Sequence, residues 1–407
     1  MASFNRIKQL SAPLAAITLL LLCRPSLAGC GDDYMLDTHY ISGKLDICTI
    51  EDEIAFEVLT NFGTKPEWIN DTQFVFLNNQ VGDVFLMDLE LNTLTNLTGH
   101  FSHAGFTRIH QLNNGDLLLL GPETGSQPPA DPLVINEAGR FTGSLWVFEA
   151  PFHLPPYLLK REKIDYLFGL FPVRSSVSIP GWEGIAVSKE SDTIVWSDTQ
   201  VPFFGNNLLD TAFNYLFAPS SLWAGELVYS PGQTRVVNAR KIVDKIQIGS
   251  VLLEPQDFRG DHQLTFTAYG PTASGSGDTY LYDFNTRRAT RRMTGPGYEE
   301  WEGMAPDYSR SFVEIDRDAS NLEGPISVEL FLHDFASGQS TRFSYFHDDY
   351  QRDDDFKVHQ PVFSPDGTQA LFATGSSQGN EIRSPGYGIG IVILRDVAAY
   401  LETVPPQ

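Results

Sequence analysis

The chain has 407 residues and a net charge of −23, with 28 Lys and Arg residues against 51 Asp and Glu residues. An acidic excess of this size disfavours nucleic acid and anionic membrane surfaces as partners, and it also disfavours polyanionic substrates such as pectin fragments. Aromatic residues make up 12% of the chain, a composition typical of a globular protein with a substantial core.

The first 28 residues predict a secretory signal peptide. Arg6 and Lys8 precede an apolar run from Ala12 to Cys23, and Ser26 and Ala28 supply the small residues of a cleavage site. The run is too short to span a bilayer, which takes roughly 20 residues. Cleavage after Ala28 would remove three basic residues and lower the net charge from −23 to −26. We therefore expect a protein that is secreted or lies in the secretory-pathway lumen, with no membrane partner once the signal is removed.

Two features downstream fit an oxidising compartment. Cys23 leaves with the signal, so Cys30 and Cys48 form an even pair that predicts a disulfide bond. The sequons that begin at Asn70 and Asn96 lie beside predicted strands, and they predict surface glycosylation sites.

Short strands bounded by Gly, Pro, Asn and Asp recur along the rest of the chain, while helical periodicity is almost absent. In chain order, predicted hairpins begin near Lys65, His110, Ile185, Glu254, Gly303 and Val358. A third predicted strand follows each hairpin, near Phe85, Trp146, Leu227, Leu281, Phe331 and Ile391. Units of roughly 40 to 50 residues with three or four strands are typical of propeller blades, because one blade cannot bury both of its faces alone. We therefore predict an all-β fold for residues 29–407, a single six-bladed β-propeller with mostly four-stranded antiparallel blades around a central channel.

The last unit carries the clearest turn. Between Val358 and Thr374 the sequence Phe-Ser-Pro-Asp-Gly places Pro and Gly at the second and fourth positions of a tight turn. This turn and its weaker copies resemble the WD40-like, TolB-type propeller repeat, a resemblance that implies the fold and little about function. Such propellers commonly close their last blade with a strand from the opposite terminus. We therefore expect Glu53 to Phe62 to pair with Ile391 to Leu394.

The segments that begin the innermost strands are the first place to look for a site, because propellers usually place their function at a channel mouth. Aligning the six units puts the following segments at one mouth: Glu67-Trp68, His103 to His110, Trp182-Glu183, Glu254 to Asp257, Trp301-Glu302 and His359-Gln360.

The tripeptide Trp-Glu-Gly occurs twice among these segments, at Trp182 to Gly184 and at Trp301 to Gly303. Two interpretations stay open. In the first, Trp packs between blades, Gly permits a bend and Glu caps a loop amide. In the second, the Trp and Glu side chains project into the mouth and form aromatic walls with hydrogen-bond acceptors.

Other residues give weaker indications of chemistry. His103, His110 and His359 map to the same mouth, but the sequence has no HxH or HExxH spacing, and we predict no metal and no cofactor. Arg108 could polarise a carbonyl group, with an ordinary salt bridge as the alternative.

In chain length, signal peptide, repeat layout and aromatic content, the chain is similar to the fungal propeller pericyclases. These hetero-Diels-Alderases of secondary metabolism join a tropolone-derived quinone methide to a terpene alkene. The resemblance implies hydrophobic small-molecule substrates and a reaction that needs no cofactor, because holding two reactants face to face supplies most of the catalysis. We expect a monomer or a weak oligomer.

Position in the repeat then suggests roles for individual residues. The predicted catalytic residues are Arg108, Glu183, Glu302 and His359. The predicted substrate-binding residues are Trp68, His103, Trp182, Gln256, Trp301 and Gln360. Two rival hypotheses stay open: a non-catalytic propeller that binds a small molecule or a protein, and a carbohydrate enzyme resembling oligogalacturonate lyase, which the net charge disfavours.

Overall fold

The computed structural model describes residues 56–60, 62–123, 143–167, 170–181, 184–199, 219–270, 277–293, 297–316, 329–344, 356–376 and 390–403. Their strands form six small sheets, and the innermost strands of successive sheets contact one another in a closed ring. The prediction of a six-bladed β-propeller is confirmed. The predicted signal peptide and the pair Cys30 and Cys48 lie outside the described residues.

The first three blades are built from the N-terminal half of the described chain, after a separate strand β1 (Phe56–Thr60). Blade 1 contains β2 (Thr64–Asn70), β3 (Gln73–Leu77), β4 (Val84–Asp88) and β5 (Thr93–Asn96). Blade 2 contains β6 (Arg108–Gln111), β7 (Leu117–Pro122) and β8 (Gly143–Phe148), with the short strands β9 (Tyr157–Leu158) and β12 (Pro180–Gly181) paired to β8. Blade 3 contains β13 (Ile185–Val187), β14 (Thr193–Thr199), β15 (Ser220–Val228) and β16 (Arg235–Asp244), and it is extended by the hairpin β10 (Lys160–Leu167) and β11 (Phe171–Ser178).

The remaining blades follow the plain four-stranded pattern. A short helix α1 (Lys245–Ile248) leads from blade 3 into blade 4, which contains β17 (Leu252–Arg259), β18 (Gln263–Tyr269), β19 (Asp278–Asp283) and β20 (Arg288–Arg291). Blade 5 contains β21 (Tyr298–Met304), β22 (Arg310–Asp316), β23 (Glu329–Asp334) and β24 (Gln339–Arg342). Blade 6 contains β25 (Phe356–Phe363), β26 (Ala370–Ser376) and β27 (Gly390–Leu394), and the helix α2 (Val397–Thr403) follows it.

The core lies between the blades. Successive side chains of a strand point to opposite faces, so a blade buried on both faces needs unbroken apolar runs on its middle strands. In β3, Phe74 and Phe76 pack with residues of blade 6, while Val75 and Leu77 pack with residues of blade 2. The leucine run of β7 divides its side chains in the same way between blades 1 and 3. Burial of these alternating sets holds each blade against both neighbours.

The ring is closed by a strand from the N-terminal side, as predicted. The strand β1 pairs antiparallel with β27, with Phe56 opposite Leu394 and Thr60 opposite Ile391. The Thr60 Oγ1 also accepts a hydrogen bond from the Ile391 backbone N at 3.1 Å. This pairing ties the two ends of the described chain into blade 6.

Both predicted glycosylation sites lie on exposed strand ends or turns. The Asn96 Nδ2 donates to Asp83 Oδ2 at 2.7 Å, and the Asn70 Oδ1 accepts from the Thr72 backbone N at 2.9 Å. Glycosylation at either residue stays a prediction. In the described part of the chain, no helix is long and apolar enough to cross a membrane.

Candidate functional site

Irregular inner strands place polar side chains in the channel. The strands β2, β17, β21 and β25 each shift register against their neighbour within their own blade, which marks a β-bulge. Lys65 and Gln360 have positive φ angles of 54° and 53° at two of these bulges, and each precedes a proline. A bulge redirects the side chains around it, and it also tolerates a proline, which cannot donate to the sheet ladder.

A cavity of about 570 Å³ opens where the inner strands end and the first turns of the blades begin. Its apolar wall includes Val187, Phe258, Met304 and Phe363. Its polar wall includes Glu67, His110, Lys189 and Asp257. We call this the mouth cavity. The sequence predicted a site at the mouth where the inner strands begin. The mouth cavity instead opens at the other end of those strands.

A narrower space of about 60 Å³, the neck, continues along the channel. It shares Glu67, His110 and Asp257 with the mouth cavity, and it adds the side chains of Arg108, Gln256, Glu302 and Gln360. Four of the predicted site residues therefore meet in one place, although in the neck rather than at an open mouth.

Asp257 has the most perturbed environment of the residues common to both spaces. Desolvation of its carboxyl raises its pKa to about 7, although a hydrogen bond from the Met304 backbone N at 2.9 Å acts in the opposite direction. The nearby carboxylate of Glu67 raises the pKa further. Asp257 therefore exchanges its proton near neutral pH, unlike an ordinary aspartate.

His110 is shifted in the direction expected for a buried base. Desolvation lowers the pKa of its imidazole to about 4, and the positive charges of Lys189 and Arg108 lower it further. Glu67 opposes this shift, with its Oε2 3.9 Å from His110 Nδ1. The imidazole is thus neutral at the pH at which Asp257 titrates.

Arg108 is held by a network of polar residues in the channel. Its Nη2 donates to Glu254 Oε1 at 3.0 Å, and the side chains of Arg108 and Glu254 are only 14% and 2% exposed. The hydroxyl of Tyr269 lies 2.8 Å from Glu254 Oε2 and 2.6 Å from Glu300 Oε1. Gln256 Nε2 also donates to Glu300 Oε1, at 2.7 Å. The salt-bridge interpretation of Arg108 is therefore the one that its contacts support.

Three glutamates form the group among the described residues whose ligand atoms are close enough to hold a metal ion. Carboxylate oxygens of Glu300, Glu302 and Glu314 lie within 4.8 Å of one another. Carboxylates alone would suit a hard cation such as Mg²⁺ or Mn²⁺. Burial and the neighbouring Glu314 raise the pKa of Glu302 well above its usual value. The raised pKa favours the protonated form of Glu302, which lessens the repulsion among the three carboxylates, and the absence of a metal stays a prediction.

The structure corrects the substrate-stacking role predicted for Trp301. The ring is fully buried, stacked on Phe335 with centroids 5.4 Å apart and edge-on to His333. Trp68 is 5% exposed, and its Nε1 donates to the Val362 backbone oxygen at 3.2 Å, so it joins blades 1 and 6 while one edge meets the mouth cavity. Trp182 and Glu183 lie outside the described residues.

Two of the predicted histidines line neither the mouth cavity nor the neck. His359 is fully buried and lines neither the mouth cavity nor the neck, and its catalytic role stays a prediction. His103 lies in a separate cleft of about 310 Å³, where its Nε2 is 3.1 Å from Asp83 Oδ1 and its ring stacks on Phe106. The structure therefore places His103 outside the mouth cavity and the neck, and its contact with a substrate stays a prediction.

Gln360 reaches the neck but also serves as a structural link. Its Oε1 accepts hydrogen bonds from Thr64 Oγ1 and from the Lys65 backbone N, both at 2.9 Å.

The opening of the mouth cavity is spanned by residues that the sequence analysis did not predict. Lys189 Nζ is 3.2 Å from Glu67 Oε1, and the Tyr308 hydroxyl donates to Glu190 Oε1 at 2.6 Å. Lys189 and Glu190 are turn residues, and nothing in the sequence distinguishes their turn from an ordinary solvated one.

The glycines of the repeated Trp-Glu-Gly have a shared packing role. A Cβ at Gly184 would lie 2.7 Å from the backbone oxygen of Pro255, and one at Gly303 would lie 2.2 Å from that of Pro361. Each glycine thus lets the inner strand of the next blade approach closely. Gly184, Gly303 and Trp301 therefore fit the first interpretation of the motif, in which it packs the blades together. Glu302, by contrast, lines the neck.

Replacing Gly303 by Ala should destabilise the fold by about 1 to 3 kcal/mol, because its φ of 41° and the Pro361 oxygen both oppose a Cβ. Thermal and urea unfolding would measure the change. Gly232→Ala is the matched control, since Gly232 has a φ of 67° with no neighbour within 4 Å. Equal losses in the two variants would mean that close approach of the blades contributes nothing.

No protein-family model and no curated protein matches the sequence. Several solved structures are similar. An oligogalacturonate lyase in complex with manganese is 12% identical, over 86% of this chain and 94% of that one, with a TM-score of 0.46. TolB from Acinetobacter baumannii is 13% identical over 80% and 66%, with a TM-score of 0.38. An acylaminoacyl peptidase from Pyrococcus horikoshii is 10% identical over 77% and 43%, with a TM-score of 0.41. The likeness extends to the fold alone: by its six sheets, the chain is a six-bladed β-propeller.

Proposed function

We propose that the chain is an enzyme that acts on small, largely apolar molecules in the mouth cavity. Its volume of about 570 Å³ falls within the range of small-molecule sites, roughly 300 to 1,000 Å³. Val187, Phe258 and Met304 give it an apolar wall, and a few polar groups converge where it meets the neck. This combination is typical of sites that orient an apolar ligand with few hydrogen bonds.

The observation that carries the proposal is that Asp257 and His110 line the same two spaces, the mouth cavity and the neck. The pKa of Asp257 is raised to about 7, and that of His110 is lowered to about 4. Two groups in one site whose pKa values are pushed apart can act as acid and base at one pH. Near neutral pH, Asp257 can donate a proton while the neutral His110 accepts one.

The reaction that we propose is a hetero-Diels-Alder addition of a tropolone-derived quinone methide to a terpene alkene. A hydroxymethyl tropolone becomes the heterodiene by loss of one water. The Asp257 carboxyl would protonate the leaving hydroxyl group, and His110 would accept the proton of the ring hydroxyl. A proton then returns from His110 to Asp257 through solvent. The addition itself forms two bonds without proton transfer, and it depends on orientation, which can supply about 7 to 11 kcal/mol in ideal cases.

The pH dependence of kcat/KM should be bell-shaped. His110 must be neutral, so the rate should rise with pH through about 4, and Asp257 must be protonated, so it should fall as pH increases through about 7. At pH values well above the pKa of Asp257, kcat/KM should drop about tenfold per pH unit. Initial rates in a constant-ionic-strength buffer series would measure this. A rate that is level through the neutral range would remove Asp257 as the acid.

Incubation of the purified protein with a hydroxymethyl tropolone and a humulene-type alkene tests the reaction. We expect faster formation of the adduct than in the enzyme-free control, with one stereoisomer in excess. If rate and stereochemistry both match the control, the pericyclase proposal fails. Calorimetric titration with the tropolone alone measures binding separately, so that failure of the chemistry is distinguishable from failure of the cavity as a site.

A non-catalytic binding propeller is the second candidate, and the channel network favours it. Arg108, Glu254, Tyr269 and Glu300 hydrogen-bond one another, as residues with a structural role do. Binding of the tropolone without turnover would support this candidate. An anionic sugar substrate is less compatible with the cavity, because several carboxylates surround it. The acidic residues in its wall are Glu67, Asp71, Glu190 and Asp257, against the cation Lys189, since His110 is neutral near pH 7.

A further inference from the structure

The β10–β11 hairpin carries an unusual share of the exposed apolar surface. Eight large hydrophobic side chains are exposed among the described residues, and four of them lie on this hairpin. They are Ile164, Leu170, Phe171 and Val173, with exposed fractions of 49%, 75%, 63% and 46%. Scattered single apolar residues are normal on a surface, whereas a concentration of them marks an interaction site.

The hairpin leaves the propeller after a short contact. Its strand β10 pairs with β16 only at Lys160 and Arg161, and Arg161 lies over the Trp223 ring at 5.0 Å. The hairpin itself continues paired to Leu167 opposite Phe171. The six residues of β10 that follow Arg161 extend about 20 Å beyond the pairing with β16. Arg235 Nε also lies 3.6 Å from Glu162 Oε1, so among the described residues these contacts to blade 3 are all near the base of the hairpin.

The exposed apolar side chains occupy both faces of this two-stranded ribbon. Ile164 is paired with Arg174, so these two side chains share one face, and Val173 and Phe171 lie on the opposite face. A flat protein surface would cover only one face of the ribbon. A lipid interface surrounds an inserted tip and covers both.

The charges on the hairpin favour an anionic lipid surface. Lys160, Arg161, Lys163 and Arg174 outnumber Glu162 and Asp165, in a chain whose net charge is −23. Arg174 is three residues behind Phe171, about 10 Å along the strand, which places it at the headgroups when the tip reaches the acyl boundary. The reach of about 20 Å exceeds the Debye length of about 8 Å, so the acidic body is screened from the membrane. A second copy of this chain is a less favourable partner, because two acidic propellers would repel each other.

We propose that the β10–β11 hairpin docks the protein on anionic membranes by inserting its apolar tip. This departs from the sequence-based expectation of no membrane partner, because net charge averages over the chain and conceals one basic projection. The hairpin lies outside the mouth cavity and does not depend on the proposed reaction.

Sedimentation with vesicles tests the proposal, using protein purified from a eukaryotic secretion host. Wild type should bind vesicles of phosphatidylcholine with phosphatidylserine more tightly than vesicles of phosphatidylcholine alone. The double variant Leu170→Asp/Phe171→Asp should bind at least about tenfold more weakly to both. Arg174→Gln should weaken binding about fivefold on the anionic vesicles only. Leu91→Asp is the matched control, because Leu91 is 71% exposed in blade 1, and it should bind as wild type does.

Three results would overturn the proposal. They are no vesicle binding by wild type, equal binding by the tip variant, and an equal loss in Leu91→Asp. Light scattering supplies a further check that needs no lipid. A wild-type dimer that the tip variant converts to a monomer would assign the hairpin to a contact between copies of the chain instead.

Discussion

Asp257→Asn should lower turnover by about 10² to 10⁴-fold while leaving the fold intact. Asparagine has the shape of aspartic acid, and its Oδ1 can still accept the hydrogen bond from the Met304 backbone N. It has no acidic proton to give to the leaving hydroxyl group, and the loss of a general acid typically costs this much. Single-turnover rates with the tropolone and the alkene would measure the effect, with circular dichroism as the check on folding.

Asp71→Asn provides the control for this substitution. Asp71 also lines the mouth cavity, and its Oδ1 accepts from the Asp366 backbone N at 3.0 Å, which an asparagine oxygen can do as well. We expect turnover in this variant to stay within about threefold of wild type. If Asp257→Asn binds the tropolone and still turns over at the wild-type rate, Asp257 is not the acid and another group must be sought.

Stability measurements give a second, independent test of Asp257. Because its pKa is raised to about 7 in the folded protein, its protonated form is favoured there. The resulting stabilisation is fully present below the unfolded-state pKa near 3.8 and is lost as pH rises through about 7. The free energy of unfolding of wild type should therefore fall relative to that of Asp257→Asn across this range. A constant difference would show that the carboxyl is not desolvated.

The blades could be predicted because burial on two faces leaves a direct record in the sequence. Runs such as Phe74 to Leu77 are apolar throughout, since each alternate side chain enters a different interblade core. The hairpin of β10 and β11 was missed for the opposite reason. Its distal side chains are exposed on both faces, so it lacks the alternation that indicates a half-buried strand.

The site could be predicted only to the level of segments. The expected segments contain Glu302, Gln256 and Asp257, but they also contain Trp301 and His359, which are fully buried and line neither space. A bulge changes which side chains of a strand face the channel, and a shift of one residue reverses the face. The available signal was proline within inner strands, at Pro66, Pro255 and Pro361, which indicates an interrupted ladder.

Removing the positive charge of Arg108 should destabilise the protein by about 3 to 5 kcal/mol. Arg108→Met leaves Glu254, whose side chain is only 2% exposed, without its ion-pair partner at 3.0 Å. A buried carboxylate that loses its cation keeps its desolvation penalty, and such losses are among the largest that single substitutions cause. Urea unfolding would measure the change. A loss below about 1 kcal/mol would mean that the remaining contacts of Glu254, that with Tyr269 among them, are enough to stabilise it.

The double variant Arg108→Met/Glu254→Gln separates structure from catalysis. Removing both charges should restore most of the lost stability, since an uncharged pair has no buried ion to compensate, and the amide oxygen that replaces the Glu254 carboxylate can still accept from Tyr269. Turnover of this stable variant then decides between the two interpretations of Arg108 that the sequence left open. Wild-type turnover would make the guanidinium a structural partner of Glu254 only. Lost turnover in a stable fold would support its predicted contact with the substrate oxygen, because hydrogen-bond donors to a developing oxyanion act on rate rather than on stability.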